Sequence, residues 1–134
     1  MDIGLARQRV MSAPVGRLGT VSGEGRPHLV PCCFVLSDET VYTAVDAKPK
    51  STLALRRIDN IAANPSVCLL VDHYEEDWSA LWWVRLDGTG RVVDSADEVA
   101  EAKRALVAKY PQYRRLALPG PVLGLDVQSW RSWP

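Results

Sequence analysis

Strands in this sequence come in runs joined by short turns, with single helices between the runs. Hydrophobic periodicity and turn residues give the order helix, three strands, helix, two or three strands, helix, strand. No strand–helix–strand alternation recurs along the chain, which excludes a doubly wound parallel sheet. A small antiparallel barrel with helices at its ends satisfies the order. The expected class is therefore mainly β with peripheral helices (α+β). With 134 residues the chain can bury one core but not two, so 1–134 is read as a single domain.

Each element has its own signal. Asp2 to Ala13 reads as a short helix with Ile3, Leu5, Ala6, Val10 and Met11 on one stripe, capped by Asp2 and ended by Pro14. Arg17–Ser22 and Pro27–Leu36 read as strands around the glycine-bearing turn Ser22–Arg26. Both faces of the second strand are apolar, which predicts burial on both sides, while Pro27 and Pro31 predict irregularity or a partial edge. Thr40–Val45 follows as a β-branched strand, then a helix over Pro49–Ala63 that Asn64–Pro65 stops. Ser66–Tyr74 is nearly continuous in its apolar run and reads as central. Trp78–Leu86 reads as a strand carrying three tryptophans, with Gly88–Gly90 as a turn or bulge before Arg91–Val93. Ser95–Tyr110 carries a capping box, Ser95 with Glu98, and a stripe of Val99, Ala100, Lys103, Leu106, Val107 and Tyr110. Val122–Val127 is the last strand, followed by the tail Trp130–Pro134.

One junction has the makings of an anion site. In Thr43–Arg57, a strand end leads through a tight loop into a helix. Lys48, Lys50 and Ser51 then lie where unpaired backbone N–H groups favour a phosphate, with Arg56 and Arg57 one to two turns on. The same residues also read as a solvated basic loop. The tryptophans are similarly open: a bulky core strand, or a face set against a partner subunit or a planar ligand.

Other chemistry is scarce. Formal net charge is zero, which argues against wholesale capture of nucleic acid, so any anion site is local. No stretch has the apolar length of a membrane span, and the first residues lack a signal-peptide core. Cys32, Cys33 and Cys68 are an odd set with two sequence neighbours, which favours reduced thiols and a cytoplasmic setting. Cys32, Cys33, Cys68, His28 and His73 lack zinc-site spacing. Asp72–His73–Tyr74 reads as a proton relay or as an ordinary strand-end histidine. The residues carry no self-sufficient catalytic set, so an enzymatic reaction would rest on a cofactor.

The segments RLGTVSGEGRPHLVPCCF, VYTAVDAKPKSTLALRRIDNIAANPSVCLLVDHY and EEDWSALWWVRLDGTGRV resemble the pyridoxamine-phosphate-oxidase-like split β-barrel superfamily. More closely they resemble its actinobacterial branch of coenzyme F420-dependent oxidoreductases. The resemblance runs from about Arg17 to Val93 and includes the tail WRSW. It implies a homodimer with cofactor sites at the interface and a flavin or deazaflavin whose phosphate meets Lys48, Lys50 and Ser51. The strand Leu29–Cys33, with Pro31 and Cys32 as its site residues, and the strand end Thr43, Ala44 and Val45 would approach the ring; Trp78 would come from the partner or flank it. F420 is the expected cofactor and FMN the alternative, because FMN-binding relatives often carry more arginine than positions 48–51 do. The implied reaction is hydride transfer from reduced deazaflavin to a small organic substrate, with a proton from solvent or His73. An FMN-dependent oxidase or reductase, and a non-enzymatic carrier of deazaflavin, flavin or haem, are the other readings.

Overall fold

The computed structural model describes residues 1–44, 52–115, 118 and 120–134, with the backbone alone for 52–55. The elements are α1 (Ile3–Ser12), β1 (Gly16–Val21), β2 (Pro27–Cys32), β3 (Val35–Ser37), β4 (Thr40–Ala44), α2 (Thr52–Ala63), β5 (Ser66–His73), β6 (Trp82–Val92), α3 (Ala96–Lys109) and β7 (Val122–Trp133). All strand pairs are antiparallel, in one seven-stranded sheet of order β2-β1-β5-β6-β7-β4-β3.

That order forces the architecture. β2 and β3 lie at opposite edges of the sheet, yet only Cys33 and Phe34 separate them in sequence. Laid flat, six inter-strand steps would hold the edges about 29 Å apart. Three Cα steps from Cys32 to Val35 reach at most about 11 Å. The sheet must therefore curl until its edges nearly meet, which makes an antiparallel split barrel with a seam at Cys33–Phe34.

This explains one departure from the sequence reading. Pro27–Leu36 is two strands rather than one, and β2 is an edge rather than a strand buried on both faces: Leu29 is 70% exposed. Pro27 and Pro31 do mark an edge, as a missing N–H donor requires.

The core fills the inside of the curl. Leu18, Phe34, Val41, Leu69, Val71, Val84, Leu86, Leu123 and Leu125 are buried together. α1 adds Ala6 and Val10, while Ile3, Leu5 and Met11 stay exposed, so the expected stripe is only half used. Asp2 caps α1 by accepting from the Leu5 N–H at 3.1 Å. α2 packs Ile61 inward and is tied to β1 where Asn60 Nδ2 donates to the buried Thr20 hydroxyl. α3 closes a second cluster through Ala102 and Leu106 with Ala44, Val93 and Val122. Ala102, not Ala100, is its small core residue.

Three further boundaries differ from expectation. Trp78–Ala80 is a 3-10 turn capped by Asp77, and β6 starts only at Trp82. Gly88–Gly90 does not break β6: the ladder with β7 slips there and continues. Gly88 is needed at that bulge because a Cβ would sit 2.1 Å from the Asp126 carbonyl oxygen. The tail Trp130–Trp133 is the end of β7, paired with β6 back to Trp83. At α3, Ser95 caps the Glu98 N–H, but the Glu98 carboxylate turns away to Arg91 and Tyr42, so only half of the capping box forms.

Candidate cofactor cleft and outer sheet face

The seam opens into a cleft of about 240 Å³. Pro31, Cys32 and Cys33 line it from the end of β2, and Thr43 and Ala44 from the end of β4. α2 brings Arg57 to it, and the turn Pro111–Arg114 brings Tyr113. The backbone of the seam is held firmly. The Thr43 hydroxyl donates to the Cys33 carbonyl at 2.7 Å. Tyr110 Oη accepts the Phe34 N–H and lies within 3.1 Å of the Phe34 and Pro14 carbonyls, either of which can accept its proton. Lys109 Nζ donates to the Phe34 carbonyl at 2.9 Å and sits 3.9 Å from the Phe34 ring centroid.

Burial shapes the titration of these groups. It pushes the Cys32 thiol up to about 11, against smaller downward pulls from the Thr43 hydroxyl and the Arg57 charge. Burial also lowers Lys109 to about 8, opposed by the two neighbouring cysteines. Arg57 Nε is buried with no hydrogen-bond partner among the described residues. A guanidinium N–H left so in a concave site is fitted to a ligand acceptor or anion.

The second concavity lies on the outer face of the sheet, a groove of about 630 Å³. Leu70, Trp83, Trp133 and Leu29 are its apolar surface, and Trp133 is 51% exposed. An ion pair crosses it, Arg17 with Asp72 at 3.1 Å, and Arg85 holds Asp87 two residues further along β6 at 2.8 Å. A neighbouring groove of about 750 Å³ shares Leu29 and Cys68 with it, so the concave band continues along the face.

Of the residues singled out in the sequence, Pro31, Cys32, Thr43 and Ala44 come together in the cleft. Val45, Lys48, Lys50 and Ser51 lie outside the described residues. His73 is not with them. It stands in the outer groove, pairs with the Glu75 carboxylate and stacks on Trp82 at 6.3 Å between centroids. Trp78 is 69% exposed on its 3-10 turn and does not line the cleft. Sequence reasoning noted Arg57 only as an extension of a basic surface. Its helical spacing from the loop, five residues beyond the first residue of α2, carried no sign that it turns into the seam. Cys33, the last residue of the strand expected to approach the ring, does line the cleft, whereas Tyr113 was missed for the same reason as Arg57: only the fold brings it there.

A curled antiparallel half-barrel whose two edge strands meet at a seam is a split barrel. The chain belongs to the pyridoxamine 5′-phosphate oxidase family, whose model matches residues 5–134. No curated protein matches the sequence significantly. Solved structures share the fold at low identity. A conserved hypothetical protein from Mycobacterium tuberculosis is 18% identical with a TM-score of 0.77, covering 99% of this chain and 84% of that one. A FAD-binding protein from Mesorhizobium loti is 19% identical with a TM-score of 0.75, covering 98% and 92%. A heme binding protein from Mycobacterium smegmatis is 23% identical with a TM-score of 0.76; the match covers 96% of this chain and 52% of that one. Among the described residues no helix is long and apolar enough to cross a membrane.

Proposed function

We propose that the chain is a homodimeric oxidoreductase that binds a flavin-type cofactor in the seam cleft, coenzyme F420 in the finer reading and FMN in the alternative. The observation that carries this is Arg57: a buried guanidinium N–H with no partner among the described residues, beside apolar walls, suits a planar ring bearing an acceptor or anionic group. The arginine shortage at positions 48–51 that favours F420 over FMN is smaller once Arg57 is counted. Lys48, Lys50 and Ser51 are proposed to hold the phosphate.

When bound, a flavin or deazaflavin ring supplies the hydride chemistry. The chain's own part is binding and placement. Pro31 and Ala44 give the ring apolar surface. Thr43, Lys109 and Tyr110 fix the seam backbone, so the wall keeps its shape as ligand enters. Arg57 takes the acceptor or anion. The cleft's 240 Å³ is below the ~300 Å³ at which small-molecule sites begin. A further wall from the partner subunit is proposed to complete it. The outer groove, with Trp83 and Trp133, is the proposed self-association surface. His73 does not line its own protomer's cleft, and its proposed part as a proton source belongs to a site built across the dimer.

The test is a side-by-side titration with F420, FMN and haem, following tryptophan fluorescence and the cofactor's absorption, then turnover against a panel of electron acceptors. Saturable binding of F420 or FMN at one per protomer, with turnover, is expected. Tight binding without turnover on any acceptor marks a carrier instead. Binding of haem alone overturns the flavin-type reading.

A further inference from the structure

We infer that Cys32 and Cys33 form a dithiol site inside the seam cleft for a soft, thiophilic centre, and that a trivalent arsenical is the ligand class their chemistry suits. Neighbouring residues in a strand normally face opposite ways. Here β2 ends at Cys32 and the chain crosses the seam at Cys33, so both residues line the same cleft. Each thiol is close enough to register electrostatically: a charge on Cys33 raises Cys32, and both act on Lys109. Both are free.

Their protonation decides the ligand. Cys32 is 8% exposed and keeps its proton at neutral pH. A divalent metal must expel both thiol protons to solvent and needs further donors beside the two thiolates. Among the described residues no group of three or more His, Cys, Asp or Glu gathers to hold one. A trivalent arsenical avoids the difficulty. One phenylarsine oxide condenses with two S–H groups: two As–S bonds form, the As=O bond is replaced, and both protons leave with the oxygen as one water. Arsenic stays trivalent, nothing is oxidised or reduced, and no net charge is left behind.

A disulfide between the same residues is disfavoured. Sequence neighbours hold their Cα atoms about 3.8 Å apart, short of the ~4.4 Å at which disulfides begin. The backbone is also committed on both sides, Cys32 in register with Gly16 and the Cys33 carbonyl to Thr43. An arsenic atom between the sulfurs spans more than an S–S bond and asks less of that backbone. Cys68 pairs with neither, since it lies on β5 along the outer face. It serves as an internal single-thiol control.

The experiment treats the native full-length protein with one equivalent of phenylarsine oxide, then challenges it with excess monothiol or with a dithiol, and reads intact mass. The parent and Cys68→Ser are expected to keep one phenylarsenic unit through the monothiol and lose it to the dithiol. Cys33→Ser, and Cys32→Ala where it folds by circular dichroism, are expected to keep none through the monothiol. A parent adduct stripped by monothiol, or a Cys33→Ser protein that retains it, overturns the dithiol site. Where FMN or F420 binds the untreated protein and moves the Cys32 and Cys33 amides, the adduct should abolish that binding; undiminished binding with arsenic in place then overturns its location in the cleft. Mass and cofactor titration are separate readouts, so failure of the cofactor reading leaves the dithiol result interpretable.

Discussion

On β5 and β6 the inward residues Leu69, Val71, Val84 and Leu86 are at most 1% exposed, whereas Leu70 and Trp83, their neighbours along the same strands, stay partly open on the outer face. The inner row is sealed by the curl of the sheet and by three helices. The outer row has no cover within the protomer. Apolar content alone does not distinguish the rows; their place relative to the curl does. A strand that reads as apolar on both faces needs two covers, and a single protomer supplies one.

The largest effect that separates the faces is expected inside. Leu86→Ala should cost about 2–5 kcal/mol of stability, because a fully buried leucine leaves a cavity that the paired strands cannot close. Denaturant unfolding monitored by circular dichroism measures it, and a loss under about 1 kcal/mol would mean the inner row packs loosely.

Outside, Leu70→Arg should leave folding nearly intact and weaken self-association, by about 2 kcal/mol or more if Leu70 sits at the centre of the interface. That is a loss of roughly thirtyfold or more in the dimer constant, which sedimentation or light scattering over a concentration series would detect. Unchanged association would move the interface elsewhere. Loss of folding would make the outer row a second core.

The smallest expected effect concerns the polar lock between β6, β7 and α3. Hydrogen bonds from Arg91, then Tyr42, hold the Glu98 carboxyl down at about 2, and Arg91 also grips Asp126. A carboxylate depressed in the folded state adds stability above its ordinary value of 4.5 and loses it as pH falls toward about 2. Both partners reach solvent, so the contribution is about 1 kcal/mol or less. Comparing unfolding midpoints near pH ~6 and ~3 should show a smaller acid loss in Glu98→Gln than in the parent. Equal losses would leave the lock without energetic weight.

The sequence disclosed the elements better than their edges. Turn residues and caps located Ser22–Arg26, α1 and α3, because these signals are local. The break at Cys33–Phe34 left no such mark: neither residue is a helix or strand breaker, and the chain divides there only because the sheet must close on itself. Gly88–Gly90 read as a possible turn because glycine signals both turn and bulge, and the ladder beside it decides which. Pro31, Cys32, Thr43 and Ala44 were singled out through the family resemblance, and their meeting in one cleft follows from the curl. Arg57 was visible only as a helix charge, since its direction depends on where α2 packs.

The cleft itself is tested most directly by mapping amide chemical shifts of the parent and of Arg57→Ala during titration with FMN and with F420. The expected result is saturable movement at Cys32, Cys33, Thr43, Ala44 and Arg57 in the parent, with affinity falling roughly ten- to hundredfold in Arg57→Ala while its unfolding midpoint stays put. Saturation by either cofactor with those five amides unmoved, or equal affinity without the guanidinium, would contradict the assignment of the seam as the cofactor site.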